Sequence, residues 1–134
     1  MYLPPNTIIV AGPVIIENGQ VLLNREFETE GNGAEFWMFP GGGVENFDIN
    51  LEETCHREAR EELGIEIKII KPLRTLLVKR PDDASKLAVL VHFLAERIGE
   101  IKPGPETLEW GWFPVNQLPP NTAPNVIEIM KEFI

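Results

Sequence analysis

The residues with the clearest chemistry crowd into one stretch, Phe39 to Ile65, FPGGGVENFDINLEETCHREAREELGI. Within it Glu58, Glu61 and Glu62 stand at i, i+3 and i+4, so one face of a helix would present all three. Like charges at that spacing repel and weaken an isolated helix. Two readings account for them. A hard divalent cation with oxygen ligands would offset the repulsion, or the helix simply carries a solvated acidic face, as most Glu runs do. Gly41–Gly43 just ahead can turn the chain, and next to an acidic helix their backbone carbonyls could also reach a cation.

The order of residues is more specific than their composition. Gly-Gly-Gly followed by Arg57-Glu58-Ala59-Arg60-Glu61-Glu62-Leu63-Gly64-Ile65 resembles the Nudix box of the Nudix hydrolases. Arg57, Glu58, Glu61, Glu62 and Gly64 match its fixed positions, and Ala59 and Ile65 fall at its apolar ones. The head of the box departs. The family's acid, counted from Gly43 or back from Arg57, falls on Ile49. Asp48 is the nearest acid able to take that place, which implies about one inserted residue in the loop.

The resemblance assigns roles. Glu62 is the principal metal ligand, Glu58 and Glu61 complete the set directly or through water, and a loop carbonyl, here given to Gly42, joins them. Arg57 braces the loop against Asp48. A further acid is implied ahead of a Trp that opens a short strand. Glu106 stands there relative to Trp112, as metal ligand or general base, with Glu109 as competitor. Carboxylates and water suit Mg²⁺ or Mn²⁺. Arg25 and Arg80 are candidates for phosphate oxygens, and Trp37 for stacking on a base or sugar; solvated charge and core packing are the plainer readings. The implied activity is a Mg²⁺-dependent pyrophosphohydrolase acting on a phosphoric anhydride bond. It would cleave a nucleoside diphosphate linked to another moiety, such as a nucleoside triphosphate or nucleotide sugar, by water attack at phosphorus. A catalytically idle Nudix-like domain that binds a nucleotide as a sensor is the alternative.

Composition narrows the partners. The net charge of −9 argues against a nucleic-acid polymer or an anionic membrane. It also opposes an anionic substrate unless a cation bridges the two. The lone Cys55 permits no internal disulfide, which points to a reducing cytoplasm. Leu51, Cys55, Ala59 and Leu63 form an apolar stripe, so Cys55 reads as core. No signal peptide or spanning segment is visible, and self-association into a homodimer is left open.

The elements that must position these residues follow from local pattern. Thr7–Ile16 reads as a strand bent or interrupted at Gly12-Pro13. Asn18-Gly19 predicts a two-residue hairpin into a strand over Gln20–Arg25. Glu26–Ala34 reads as loop, and Phe36–Phe39 as a short strand. A helix is expected from Asn50 or Leu51 to Leu63, capped by Asn50 and stopped by Gly64. Ile65–Ile70 and Leu73–Lys79 read as strand interrupted by Pro72, followed by a turn over Arg80–Asp83. Leu87–Glu96 is expected as the interior strand, Trp110–Pro114 as a short extended piece, and Asn125–Phe133 as an amphipathic closing helix. Such an order predicts a mixed sheet covered on both faces, α/β or α+β. The resemblance implies the Nudix fold, an α/β/α sandwich, as one domain over residues 1–134.

Overall fold

Two local signals set the frame. Asn18 and Gly19 both take positive φ, 53° and 75°, as a tight hairpin requires. They join β1 (Ile8–Glu17) to β2 (Gln20–Glu26). Asn50 caps α1 (Leu51–Leu63) by accepting the Glu53 N–H at 2.8 Å, and Gly64 ends it in the left-handed region at φ 64°. The computed structural model describes residues 3–27, 36–80 and 83–134. Most of the expected loop Glu26–Ala34, the centre of the turn Arg80–Asp83 and the first two residues lie outside that range.

The remaining elements are β3 (Gly42–Gly43), β4 (Glu66–Pro72), β5 (Leu76–Lys79), β6 (Leu87–Ile98), β7 (Thr107–Pro114) and α2 (Pro124–Met130), which passes into a 3₁₀ turn at Lys131–Phe133. The sheet runs β4-β6-β1-β2-β7, with β3 also on β1 and β5 also on β6. β1 and β6 pair in parallel, and the other named strand pairs are antiparallel. The sheet is therefore mixed, as expected, with β6 in its interior.

One helix covers each face. On the α1 side, Ala11, Ile15 and Leu22 of the sheet close on Cys55, Ala59 and Leu63 of the helix. On the other side, Val14, Val21 and Leu23 close on Val126, Ile129 and Met130 of α2. Alternation along β1 and β2 supplies both cores from the same strands. Each fully buried aliphatic side chain contributes roughly 1.5–3 kcal/mol.

Four expectations about the elements are corrected. β1 is not interrupted at Gly12-Pro13. There β3 has ended its pairing at Ala11 and β2 begins at Ile16, so β1 has only β6 beside it and the parallel ladder continues through Pro13. Glu26 belongs to β2 rather than to the loop, because it pairs with Thr107 across a bulge. β7 begins at Thr107, ahead of the expected Trp110, since the whole of β2 serves as its template. Phe36–Phe39 makes only single bridges, Met38 to Asn24 and Trp37 to Thr122.

Candidate active site

The glycine turn is dictated by what lies against it. Gly41 has φ 152°, and a Cβ there would sit 2.7 Å from the Ala11 carbonyl oxygen. A Cβ on Gly42 would sit 2.6 Å from the Glu58 carboxylate. At Gly41 only glycine lets this backbone lie against β1, and at Gly42 a side chain would push the Glu58 carboxylate aside. The close approach aims the Gly41 N–H at Glu62, whose Oε2 accepts it at 2.6 Å. Glu62 Oε1 accepts from Asn24 Nδ2 on β2 at 3.2 Å. Glu62 is thus 4% exposed and tied to two other elements.

Arg57 organises the loop ahead of the helix. Its Nε and Nη2 donate to the two oxygens of Asp48 at 3.1 and 2.9 Å. Its other donors reach Glu58 at 2.8 Å, the Gly43 carbonyl at 3.0 Å and Glu61 at 3.4 Å. Asp48 also accepts from the Thr54 hydroxyl and the Glu45 N–H, and Arg57 holds its carboxyl well below the usual range. Ile49 is 88% exposed, so it is Asp48, one residue earlier, that meets the guanidinium.

The carboxylates differ in setting. Glu58 is half-buried, and burial raises its pKa against the lowering effect of Arg57. Glu61 is largely exposed on the solvent side of the helix. Sequence reasoning missed Glu26, at the end of β2. Burial first, then the charges of Glu58 and Glu106, push its pKa up to about 7. It lines a small pocket of about 50 Å³ with Asn24, Met38, Phe39 and Gly41. Glu26 shares a face with Asn24 by the two-residue period of a strand, and that was the signal available for finding it. Glu106 enters the same neighbourhood, its carbonyl accepting the Phe27 N–H at 3.0 Å.

The structure therefore gathers Glu58, Glu62, Gly42, Glu26 and Glu106 near one end of α1. The basic and aromatic candidates fall elsewhere. Arg25 points to the α2 face, where it lies 5.6 Å from the Trp37 ring centre and pairs with Glu109 at 3.1 Å. Trp37 packs edge-on against Phe113 in the α2 core. Arg80 reaches toward the carbonyl of Asn6, ahead of β1 and five residues before the Ala11 carbonyl that Gly41 meets. Burial pushes the Cys55 thiol up to about 12, so it stays an inert core group.

The oxygen-rich donor set, two helix carboxylates against a glycine backbone that leaves no room for a side chain, suits a hard cation in kind. Among the described residues no three His, Cys, Asp or Glu side chains converge closely enough to hold an ion as they stand. Glu62 is turned to Gly41 and Asn24, and Glu58 to Arg57.

A family model for the NUDIX domain matches residues 6–133. A nucleoside triphosphatase, NudI, of Enterobacter sp. (strain 638) is 40% identical over 62 residues, 45% of this chain and 43% of that protein. The chain thus aligns with less than half the length of this curated relative. Among solved structures, a MutT NUDIX hydrolase from Burkholderia pseudomallei superposes with a TM-score of 0.83 at 24% identity, covering 96% of this chain and 99% of that one. A MutT protein from Methanosarcina mazei Go1 gives a TM-score of 0.82 at 24% identity, over 98% and 96%. With the domain model spanning nearly every residue and the α/β/α sandwich shared with both structures, the chain belongs to the Nudix family.

Proposed function

We propose that the chain is a pyrophosphohydrolase, dependent on Mg²⁺ or Mn²⁺, that cleaves a nucleoside diphosphate linked to another moiety. The observation that carries this reading is the packing of Glu58 and Glu62 against the Gly41-Gly42 turn, with Glu26 and Glu106 beside them. A nucleoside triphosphate is the first substrate to test, since the NudI relative is described as a nucleoside triphosphatase. A structure described as a UDP-X diphosphatase, at a TM-score of 0.77 and 22% identity, shares the fold.

Glu62, Glu58 and the Gly42 carbonyl would hold the cation, with Glu61 at its solvent side. When bound it would neutralise phosphate charge and lower the pKa of the attacking water. The chain's own residues do the rest. Gly41 and Asn24 hold the Glu62 carboxylate in place. Arg57 ties the glycine turn to the helix through Gly43 and Asp48, so the ligands keep their spacing. Glu106 is the acid we assign to taking the proton from water. In-line displacement at phosphorus then releases a phosphate-bearing product.

The same reading treats residues 1–134 as one domain that works in the cytoplasm. No helix among the described residues is long and apolar enough to cross a membrane.

One observation favours the idle nucleotide-binding alternative: both Glu62 oxygens are already engaged, by the Gly41 N–H and the Asn24 amide. Turnover decides between the two. The chain is incubated with nucleoside triphosphates, nucleotide sugars and ADP-ribose, with Mg²⁺ or with chelator. Metal-dependent release of phosphate, pyrophosphate or a nucleoside monophosphate supports the enzyme. Nucleotide binding without release at any metal concentration would sink it.

A further inference from the structure

The C-terminal end of α1 is met by a segment from far along the chain. The Lys102 N–H donates to the Leu63 carbonyl at 2.8 Å and the Gly104 N–H to the Glu62 carbonyl at 2.9 Å. A Cβ on Gly104 would collide with the Glu61 carbonyl, so the segment lies close on the last turn of the helix. These bonds close carbonyls that a helix end leaves open. Thr107 then adds a second donor to an oxygen already served, for its hydroxyl reaches the Glu62 carbonyl at 2.8 Å. A bulge makes that reach possible. Arg25 pairs with Glu109 and Glu26 with Thr107, which leaves Leu108 as the extra residue of β7. Strict alternation from Glu109, on the α2 side with Arg25, would turn Thr107 to the α2 side as well. The bulge instead sets Thr107 opposite Glu26, on the α1 side.

We propose that Thr107 is a positioning residue, which fixes Glu106 relative to the cation ligands. The proposal rests on the reading of the chain as a hydrolase with Glu106 as its base. Glu106 is held from both sides: its carbonyl accepts the Phe27 N–H at 3.0 Å, and the next residue, Thr107, is tied to Glu62. The Glu106 charge is felt at Glu26, whose pKa it helps to raise. Glu62 is held at its other end too, where Gly41 and Asn24 donate to its carboxylate. One residue thus joins the two parts that the reaction needs at a set distance. The Glu62 side chain belongs to the cation ligands, and its carbonyl, through the Thr107 hydroxyl, anchors the base. Capping alone does not call for this hydroxyl, because the Gly104 N–H already satisfies the Glu62 carbonyl. Placement does call for it, since an error of about 1 Å in a reacting group can cost about 10²-fold in rate.

The test is a mutant cycle on the purified chain, with the best substrate of the nucleotide panel in Mg²⁺. Thr107→Val keeps the side-chain shape, suits a strand and loses the donor. Its kcat should fall about tenfold, with KM changed by less than about twofold. Thr107→Ser restores the hydroxyl and should recover most of the rate. In a Glu106→Gln background, Thr107→Val should cost nothing more, because no base is left to place. Mn²⁺ affinity, read by paramagnetic resonance without substrate, should hold within about twofold in Thr107→Val, whereas a residue supporting the ligands themselves would cost about 10–100-fold. Wild-type kcat in Thr107→Val, a Thr107→Ser variant as slow as Thr107→Val, losses that add in the double variant, or a tenfold fall in Mn²⁺ affinity each overturns the proposal. Thr107 is then only a prop of the helix end. A wild type that turns over nothing on the panel removes the hydrolase reading and this role with it. A wild type that turns over, with additive losses in the variants, removes this role alone.

Discussion

The two faces of the central sheet are built from the same strands and solve different problems. On the α1 side, Asn24 and Glu62 are buried, with Glu62 accepting from Asn24 and from the Gly41 N–H, half-buried Glu58 accepts from Arg57, and burial raises the pKa of the Glu26 carboxyl. On the α2 side, Val14, Leu23, Val126, Ile129 and Met130 make a dry core, and the buried polar group His92 is kept neutral. Its Nδ1 meets the Arg74 carbonyl at 2.8 Å and its Nε2 the Asn125 amide at 3.1 Å, contacts that a ring protonated only at Nδ1 satisfies. Buried carboxylates packed together cost stability and are kept where charge is used. A buried neutral imidazole with both nitrogens paired carries no such cost. One face thus reads as poised for chemistry and the other as the support that holds the strands still.

The sharpest way to break the comparison is Glu62→Gln. It keeps shape and a hydrogen-bonding oxygen but removes charge. Turnover in Mg²⁺ is expected to fall about 10²–10³-fold, some 3–4 kcal/mol. The thermal midpoint in chelator should hold or rise, because one of the clustered negative charges is gone. Glu52→Gln, exposed on the same helix, is the control. Equal losses in both variants would reduce the acidic helix to a charged surface.

Ile129→Ala probes the opposite face. Ile129 is fully buried, and its truncation should cost about 2–5 kcal/mol in chemical denaturation. kcat of the fraction that remains folded should stay within about twofold, well under 1 kcal/mol in barrier. A large kcat loss there would mean that the faces are not separable. Between the two lies Gly41→Ala, which places a methyl against the Ala11 carbonyl at a φ that L side chains rarely adopt. It should destabilise by about 2–3 kcal/mol and also lower activity, since the Gly41 N–H would swing away from Glu62. A variant with wild-type stability would show that the turn relaxes freely.

The smallest effect is in pH. Burial lowers the His92 pKa from its ordinary 6.5, more than the Arg74 carbonyl and Glu132 raise it. The unfolded chain takes up this proton near pH 6.5, the folded chain only at lower pH. The His92 contribution is therefore complete above pH 6.5 and is lost as pH falls through the folded value. Urea titrations of wild type and His92→Gln across that interval should converge toward acid. Parallel curves would place the proton elsewhere.

What could be read in the chain was what neighbours in sequence decide. The Asn18-Gly19 hairpin and both ends of α1 rest on residues within one turn of each other, and the structure places them as their types imply. The start of β7 at Thr107 depends on β2, and the continuity of β1 through Pro13 on which strands happen to end beside it; neither is written locally. The site candidates divide in the same way. Glu58 and Glu62 share a helix face by arithmetic, and Asp48 is the acid nearest the expected place. Glu26 is passed over because only the fold brings it beside Glu58. Arg25, at a strand end near the glycine turn, reads from the sequence as a candidate for phosphate oxygens. Yet it alternates with Asn24 and Glu26, so period two already sends it to the other face.

The parallel ladder between β1 and β6 has a consequence for how the chain comes to be folded. Its partners, from Ile8 with Ala88 to Ile15 with Ala95, lie 80 residues apart in sequence. A growing chain can close the first hairpin early, but the middle of the sheet must wait until residues 87–98 have been made. Contacts this remote in sequence are slow to form, because a long loop must be closed before any of them is gained. Amides of β1 should therefore gain protection from hydrogen exchange together with those of β6 and after the turn at Asn18-Gly19. Protection of β1 ahead of β6 would contradict that order. Until then one side of β1 stands open, and nascent or partly unfolded chains are most exposed to pairing with one another along it.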